Sequence, residues 1–120
     1  MSNIPAPIDA TTTPAWAALQ RHHDELTAAG ISLKTWFAED PSRVEKFSFD
    51  LSDLHFDLSK NLITDETVRL LCDLGRAVGL EERRDAMYSG AHINTTEDRA
   101  VLHTALRRPA TDAGDRKSVV

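Results

Sequence analysis

Residues that interrupt helices recur at short intervals along this 120-residue chain, and they limit the length of every helix. Gly30 and Gly79 favour helix ends, because glycine adopts the left-handed conformation at little cost. Asp40 precedes a proline, and a residue in that position avoids the helical region. Ser89-Gly90 closes a further segment. The spacing of these breakers predicts a fold built from short helices.

The first helix is predicted to begin at Pro14, which suits a first helical turn, with Thr13 as its N-terminal cap. Large side chains then recur every three or four residues up to Gly30, which is typical of an amphipathic helix. Two further short helices are predicted over residues 33–37 and 80–88. The large side chains of the first helix are Trp16, Leu19, His23 and Leu26.

Two runs in the middle of the chain alternate apolar and polar residues, which is the pattern of half-buried β-strands. They are separated by Ser52-Asp53, which leaves room for a two-residue turn, although Asn-Gly is the preferred pair there. The sequence therefore predicts a β-hairpin. Its apolar positions are Phe47, Phe49 and Leu51, followed by Leu54, Phe56 and Leu58.

The clearest helical pattern follows Thr64, a good N-terminal cap, and extends to Gly79. Asp65 and Glu66 lie in its first turn, where the helix dipole favours negative charge. One face is predicted to be apolar, and Cys72 is interpreted as a small buried hydrophobe on it rather than a nucleophile. The residues of that face are Val68, Leu71, Cys72 and Gly75, and Leu70, Leu74 and Ala77 widen it.

A last helix is predicted over residues 95–107, with Thr95 as cap and Asp98 completing a capping box. Its apolar stripe consists of Val101, Leu102, Ala105 and Leu106.

Three regions are predicted along the chain. Residues 1–13 lack apolar periodicity and are interpreted as a flexible tail. Residues 14–109 form one helical segment with the hairpin. Residues 110–120 are interpreted as a polar loop followed by the truncated start of a strand at Val119-Val120, which suggests that the polypeptide was meant to continue.

The charge of the chain excludes several classes of partner. Fourteen Lys+Arg against nineteen Asp+Glu give a net charge of −5, so neither nucleic acid nor an anionic membrane is an expected partner.

One cysteine makes no internal disulfide, and no stretch approaches the roughly 20 apolar residues of a membrane helix. The first residues lack the pattern of a signal peptide. A cytoplasmic location is therefore expected.

Two groups of side chains are candidate binding sites. His22-His23 are adjacent and point about 100° apart on a helix, so they are interpreted as one packed and one solvated histidine rather than a metal site. Arg99, His103 and Arg107 would share one face of the last helix. That face is a candidate anion site, but a solvated or structural polar face is the preferred interpretation.

A third candidate follows the second strand of the hairpin, where Asp57, Ser59, Lys60 and Asn61 could surround a site. A turn that caps the following helix is the preferred interpretation, because Asp and Ser commonly bond to nearby backbone groups. The sequence has no Gly-rich phosphate loop and no paired-cysteine metal motif. The residues alone do not argue for an enzyme.

Several motifs in order along residues 14–109 resemble those of the glucose-6-phosphate isomerase family. Residues 57–61 are similar to its D-Y-S-K-N signature, with Leu58 in place of the tyrosine. Residues 84–90 resemble R-x-x-M-F-x-G, and residues 93–107 match I-N-x-T-E-x-R-A-V-L-H-x-A-L-R almost throughout. Leu33 through Phe37, with Asp40 and Arg43, resembles the element L-x-x-x-F-x-x-D-x-x-R, and Trp16, Leu19 and His22-His23 resemble the opening helix.

The resemblance implies the N-terminal part of an α/β sugar isomerase with a three-layer αβα architecture. Such an enzyme interconverts glucose 6-phosphate and fructose 6-phosphate in glycolysis and gluconeogenesis, as a cytoplasmic homodimer without metal or cofactor. The resemblance places the catalytic residues beyond residue 120. No catalytic, substrate-binding, cofactor-binding or metal-binding residue is therefore assigned to this chain, and the chain alone is expected to be inactive.

Two alternatives remain at this point. The chain could be a short non-catalytic helical protein that binds a partner through exposed apolar helix faces. It could also be a metal- or anion-binding helical module, which would rest on His22-His23 and on the stripe of Arg99, His103 and Arg107.

Overall fold

The computed structural model describes residues 4, 6–101, 103–107 and 109. Over these residues the chain is mainly helical, with one two-stranded antiparallel sheet, as the sequence predicts. The chain divides into two compact units, residues 11–74 and residues 1–10 with 75–120. In the described part of the chain, no helix combines the length and the apolar character that crossing a membrane requires.

The unit of residues 11–74 begins with three helices. Helix α1 spans Pro14–Ala29, α2 spans Leu33–Glu39 and α3 spans Arg43–Lys46. The predicted cap of α1 is confirmed, since the Thr13 hydroxyl accepts a hydrogen bond of 3.1 Å from the backbone N–H of Trp16. The end of α1 is also confirmed, with Gly30 at a φ of 82°. A short 3-10 helix, Ala10–Thr12, precedes α1.

The predicted hairpin is confirmed. Strand β1 spans Ser48–Leu51 and pairs with β2, Leu54–Asp57, through a turn at Ser52-Asp53. The backbone N–H of Leu58 bonds to the carbonyl of Phe47 at 2.9 Å, which extends the pairing past the strand ends. Phe47 is 7% exposed and forms part of the core of this unit with Leu70, which is 6% exposed.

The hairpin turn places Ser52 at a φ of 56°, a conformation that costs a residue with a Cβ about 1–2 kcal/mol. We expect Ser52→Gly to raise the free energy of unfolding by about 0.5 kcal/mol, the strain relief being partly offset by the greater freedom of glycine when unfolded. Urea unfolding followed by circular dichroism measures the change. Asp53→Gly is the control, because Asp53 has no positive φ and should lose stability. A loss of stability for Ser52→Gly would contradict the prediction.

Helix α4 spans Asp65–Ala77 and begins at the predicted cap. The backbone N–H of Thr67 donates to the Thr64 hydroxyl at 3.3 Å, and the backbone N–H of Thr64 donates to the Thr67 hydroxyl at 3.0 Å. This reciprocal arrangement is a capping box in which threonine takes the place of Glu or Gln.

The predicted apolar face of α4 is confirmed at Leu70, one of the residues that widen it, and is wrong at its centre. Leu70 is buried, whereas Leu71 is 47% exposed and Cys72 is exposed rather than buried. Thr67 lies three residues before Leu70, on the same side of the helix, and is bound to His22 of α1. Leucines occupy both faces of α4, and the sequence period therefore could not decide between them.

The unit of residues 75–120 contains α5, Leu80–Tyr88, as predicted. After Gly90, the predicted helix over residues 95–107 is wrong. The backbones of Asn94 and Arg99 form an antiparallel bridge instead, and a 3-10 helix follows over His103–Arg107. The Asn94 side-chain oxygen accepts from the N–H of Glu97 at 3.3 Å, and Asp98 has a φ of 51°, so a tight turn occupies the predicted first helical turn.

The predicted helix over residues 95–107 does not form because too little packs against its apolar face. Such a helix gains most of its stability from packing of its apolar face, and Leu106 of the predicted stripe is 80% exposed. Leu102 lies outside the described residues, as do the predicted polar loop and strand start over residues 110–120 and most of the first five residues of the predicted tail.

Candidate functional site

The charged centre of the unit of residues 11–74 is Arg43, the first residue of α3. The turn before it is built by Asp40, whose carboxylate accepts a hydrogen bond of 3.0 Å from the backbone N–H of Ser42. The carbonyl of Asp40 accepts from the N–H of Arg43 at 3.1 Å. The turn therefore sets where α3 begins and directs Arg43 inward, where it is 4% exposed.

The Arg43 guanidinium binds three backbone carbonyls on the segment after the hairpin. Nε donates to the carbonyl of Ser59 at 2.8 Å, and Nη2 donates to those of Asn61 and Ile63, each at 2.9 Å. These carbonyls lie 16 to 20 residues further along the chain. Arg43 thus connects α3 to the loop that precedes α4.

Aromatic rings surround the same guanidinium. Its central carbon lies 4.7 Å from the ring centroid of Phe47, 5.1 Å from that of Trp36 and 5.7 Å from that of Phe37. A cation within about 6 Å of a ring centroid is attracted by the ring, and more strongly where water is excluded. We call Arg43 with Trp36, Phe37 and Phe47 the Arg43 cluster.

Arg43 stands out in the sequence only through its place in the family resemblance. Its neighbours contained the signal, since Trp36, Phe37 and Phe47 are three of the six Phe and Trp residues of the chain. A lone arginine close in sequence to several aromatic residues is a candidate for a buried, stacked guanidinium, because arginine is weakly hydrated and planar.

The loop at residues 57–61, considered as a possible site, is a turn in the structure. The Asp57 carboxylate accepts from the backbone N–H of Ser59 at 2.8 Å. The pKa of Asp57 is lowered, mainly by the nearby Ser59 hydroxyl and then by this backbone bond. The turn was expected to cap the next helix, but Thr64 provides that cap, and the loop is instead bound by Arg43.

A small cavity adjoins the Arg43 cluster. Its volume of about 170 Å³ is below the roughly 300–1,000 Å³ of typical small-molecule sites, so it has the size of a water-filled recess. Three carboxylates and one guanidinium give it a polar wall. The lining residues are Trp36, Glu39, Asp40, Arg43, Phe47, Thr64 and Asp65.

Asp40, at the edge of this cavity, accepts a hydrogen bond of 2.7 Å from Lys46 Nζ. This bond, followed by those from Ser42, lowers the pKa of Asp40 from 3.8 to about 2. The Asp40 carboxylate raises the pKa of Lys46 in turn.

The lowered pKa of Asp40 makes stability depend on pH at the acidic end. The contribution of the carboxylate is fully present well above its unfolded pKa of 3.8, and it is lost as the pH falls through about 2. We therefore expect the melting temperature of wild type to exceed that of Asp40→Asn at pH 5. This gap in melting temperature should close by pH 2. Lys46→Gln, which removes the main partner, should reduce the gap at pH 5. A gap that persists unchanged at pH 2 would contradict the assignment.

The two adjacent histidines of α1 lie in different environments, as their interpretation as one packed and one solvated residue predicts. His22 Nε2 is 2.7 Å from the Thr67 hydroxyl and 3.4 Å from that of Thr64, so it contacts the cap of α4. The side chain of His23 is 67% exposed and bonds to Asp24. The bond from His23 is the main reason why the pKa of Asp24 is lowered.

The predicted stripe of Arg99, His103 and Arg107 does not form, because the α-helix that would align these residues is replaced by the bridge and the 3-10 helix. His92, in the same unit, bonds instead to Asp98 at 3.0 Å. Across residues 4, 6–101, 103–107 and 109, no group of three or more His, Cys, Asp or Glu side chains could hold a metal ion.

The geometry thus defines a mainly helical segment in which a buried guanidinium binds backbone carbonyls of a later loop. Comparison with known proteins places the segment in a family. The family described as phosphoglucose isomerase matches residues 57–119, which is about half of the chain. This chain belongs to the phosphoglucose isomerase family.

The relatives, from several bacteria, are all named glucose-6-phosphate isomerase. Glucose-6-phosphate isomerase of Bifidobacterium longum is 68% identical over 111 residues, which cover 92% of this chain and 20% of the relative. The enzyme of Mycolicibacterium vanbaalenii is 58% identical and that of Mycobacterium bovis 53%, over 84% and 91% of this chain. The matched part of this chain spans about a fifth of the length of these relatives.

Proposed function

We propose that this chain is the N-terminal segment of a glucose-6-phosphate isomerase, the enzyme that interconverts glucose 6-phosphate and fructose 6-phosphate. The identity of 68% over 92% of the chain to a relative of that name carries the proposal. It favours this function over that of an independent helical binding protein, because such identity extends along both the hairpin and the helices.

Within that enzyme, the proposed role of the chain is structural. Among the residues that the structure describes, Arg43 is the most buried charged one; it donates hydrogen bonds to three backbone carbonyls, and the cavity beside it is small for a sugar phosphate. The general base and the groups that stabilise the enediolate would come from the remaining four-fifths of an isomerase subunit. The chain would therefore contribute no catalytic or substrate-binding residue to the enzyme.

The same proposal covers the organisation and the setting of the chain. Residues 14–109 would form the helical segment, preceded by a flexible tail over residues 1–13 and followed by a loop and strand start over residues 110–120. The completed subunit would have the three-layer αβα architecture, would form a homodimer and would act in the cytoplasm, in glycolysis and gluconeogenesis.

A chimera tests the proposal directly. In it, this chain replaces the 111 matched residues of the Bifidobacterium longum relative. We expect the chimera to convert fructose 6-phosphate to glucose 6-phosphate at a rate within about tenfold of the relative, since substitutions remote from the chemistry mainly change stability. We expect the isolated 120-residue chain to show no turnover. Turnover by the isolated chain, or a folded but inactive chimera, would overturn the proposal.

A further inference from the structure

The hairpin has one apolar and one polar face. Its register pairs Phe49 with Phe56 and Leu51 with Leu54, and these four side chains share a face because alternate residues of a strand point the same way. The opposite face carries the pairs Ser48 with Asp57 and Asp50 with His55. The eight strand residues are therefore divided evenly between one apolar face and one polar face.

The apolar face is exposed. Phe49 is 50% exposed, Leu51 63% and Leu54 56%, whereas a hairpin normally packs its apolar face against another layer. The rings of Phe49 and Phe56 stack at a centroid distance of 4.9 Å, so the face is ordered by its own side chains. We call Phe49, Leu51, Leu54 and Phe56 the hairpin face.

The base of the hairpin is firmly attached to the unit of residues 11–74. Phe47 immediately precedes β1 and is buried beneath the Arg43 guanidinium. The residues after β2 are held by the bonds from Arg43 to the carbonyls of Ser59 and Asn61. The hairpin face is consequently presented in one orientation, which reduces the entropy lost on docking.

The area of the face argues against a second copy of this chain as its occupant. Four partly exposed side chains offer a few hundred Å², well below the roughly 800 Å² per partner of a specific, stable interface. A covering surface within the same polypeptide needs less area, because the tether supplies a high effective concentration. The relatives contain such polypeptide, since about four-fifths of their length lies outside the matched region.

We propose that the hairpin face is the surface on which the remaining polypeptide of an isomerase subunit docks, through an apolar patch that buries Leu51 and Leu54. The inference rests on the proposed function and names the partner of this surface. In the assembled subunit, the polar face with Asp50 and His55 stays accessible to solvent.

Thiol labelling of the chain and of the chimera tests the inference. Leu54→Cys is introduced in a Cys72→Ser background, and its reaction with iodoacetamide is followed at that residue by peptide mass spectrometry. We expect labelling in the chimera to be slower than in the isolated chain by at least roughly tenfold, because a buried thiol reacts only after local opening. Leu51→Cys is a second reporter, should Leu54→Cys disturb the fold.

His55→Cys is the matched control. It is adjacent to Leu54, it belongs to the same strand and its side chain is 64% exposed, but it lies on the polar face. We expect it to label at similar rates in the isolated chain and in the chimera.

Each outcome has a separate meaning. Equal labelling rates of Leu54→Cys in the chain and in an active chimera would overturn the docking inference while the proposed function stands. Protection of Leu54→Cys that appears in the isolated chain as its concentration rises would identify a second copy as the occupant and would also overturn it. An inactive chimera without substitutions in the chain would contradict the proposed function instead.

Discussion

Arg43→Leu is expected to lower the free energy of unfolding by about 4 kcal/mol, a large share of the roughly 5–15 kcal/mol of a small domain. The substitution removes the Arg43 donor from the carbonyls of Ser59 and Ile63, while the Asn61 carbonyl keeps its bond from the backbone N–H of Ile63. An unsatisfied buried polar group costs about 1–3 kcal/mol, and the Ser59 carbonyl lies on a residue that is 1% exposed. The attraction between the cation and three aromatic rings is lost as well.

Arg43→Lys separates charge from geometry. Lysine keeps the positive charge, but its single ammonium cannot reproduce a planar fork that reaches three carbonyls and stacks on rings. We expect a loss of about 2 kcal/mol, intermediate between wild type and Arg43→Leu. Urea unfolding measures both variants.

Arg69→Leu is the control for these variants, because Arg69 is 58% exposed and its partners, Glu66 and Asp73, lie on the surface of α4. It should cost less than about 1 kcal/mol. Equal losses for Arg43→Lys and Arg69→Leu would show that the Arg43 cluster does not depend on guanidinium geometry.

Leu70→Ala is expected to cost about 3 kcal/mol, whereas Leu71→Ala should cost less than about 1 kcal/mol. The two residues are adjacent on α4 and have the same side chain, but Leu70 is 6% and Leu71 47% exposed. Removing three carbons from a packed position loses burial and leaves a cavity, while a half-exposed side chain leaves little behind.

Thermal and urea unfolding of the two leucine variants, compared at equal protein concentration, provides the measurement. The comparison also tests which face of α4 is inward, since the sequence pattern puts Leu71 at the centre of the apolar face and Leu70 beside it, whereas the structure buries Leu70 and exposes Leu71. A larger loss for Leu71→Ala would restore the face that the sequence predicts.

Local features of the fold were predictable from the sequence because they depend on neighbouring residues. The start of α1 follows from Thr13 and Pro14, and its end from Gly30. The cap of α4 at Thr64 and the two-residue turn of the hairpin are equally local, since each is decided within four or five residues. The family resemblance, carried by motifs in residues 57–61, 84–90 and 93–107, was likewise present in the order of residues and agrees with the family match.

Features that depend on distant contacts were decided only by the tertiary structure. Arg43 reaches carbonyls 16 to 20 residues away, and no spacing rule links an arginine to the backbone of a later loop. The inward side of α4 carries Thr67, which is bound to His22 from 45 residues earlier, whereas Cys72 is exposed although it fits the apolar pattern.

The contrast between features set by neighbouring residues and features set by distant contacts is clearest for residues 95–107. Their helical period is strong in the sequence, but periodicity records only which side chains could share a face. A short amphipathic helix forms when that face is packed, and Leu106 has no such cover. Sequence alone determined the caps, the turn and the family of this chain, because these reside in contiguous residues, whereas burial and the role of Arg43 required the distant segments to be brought together.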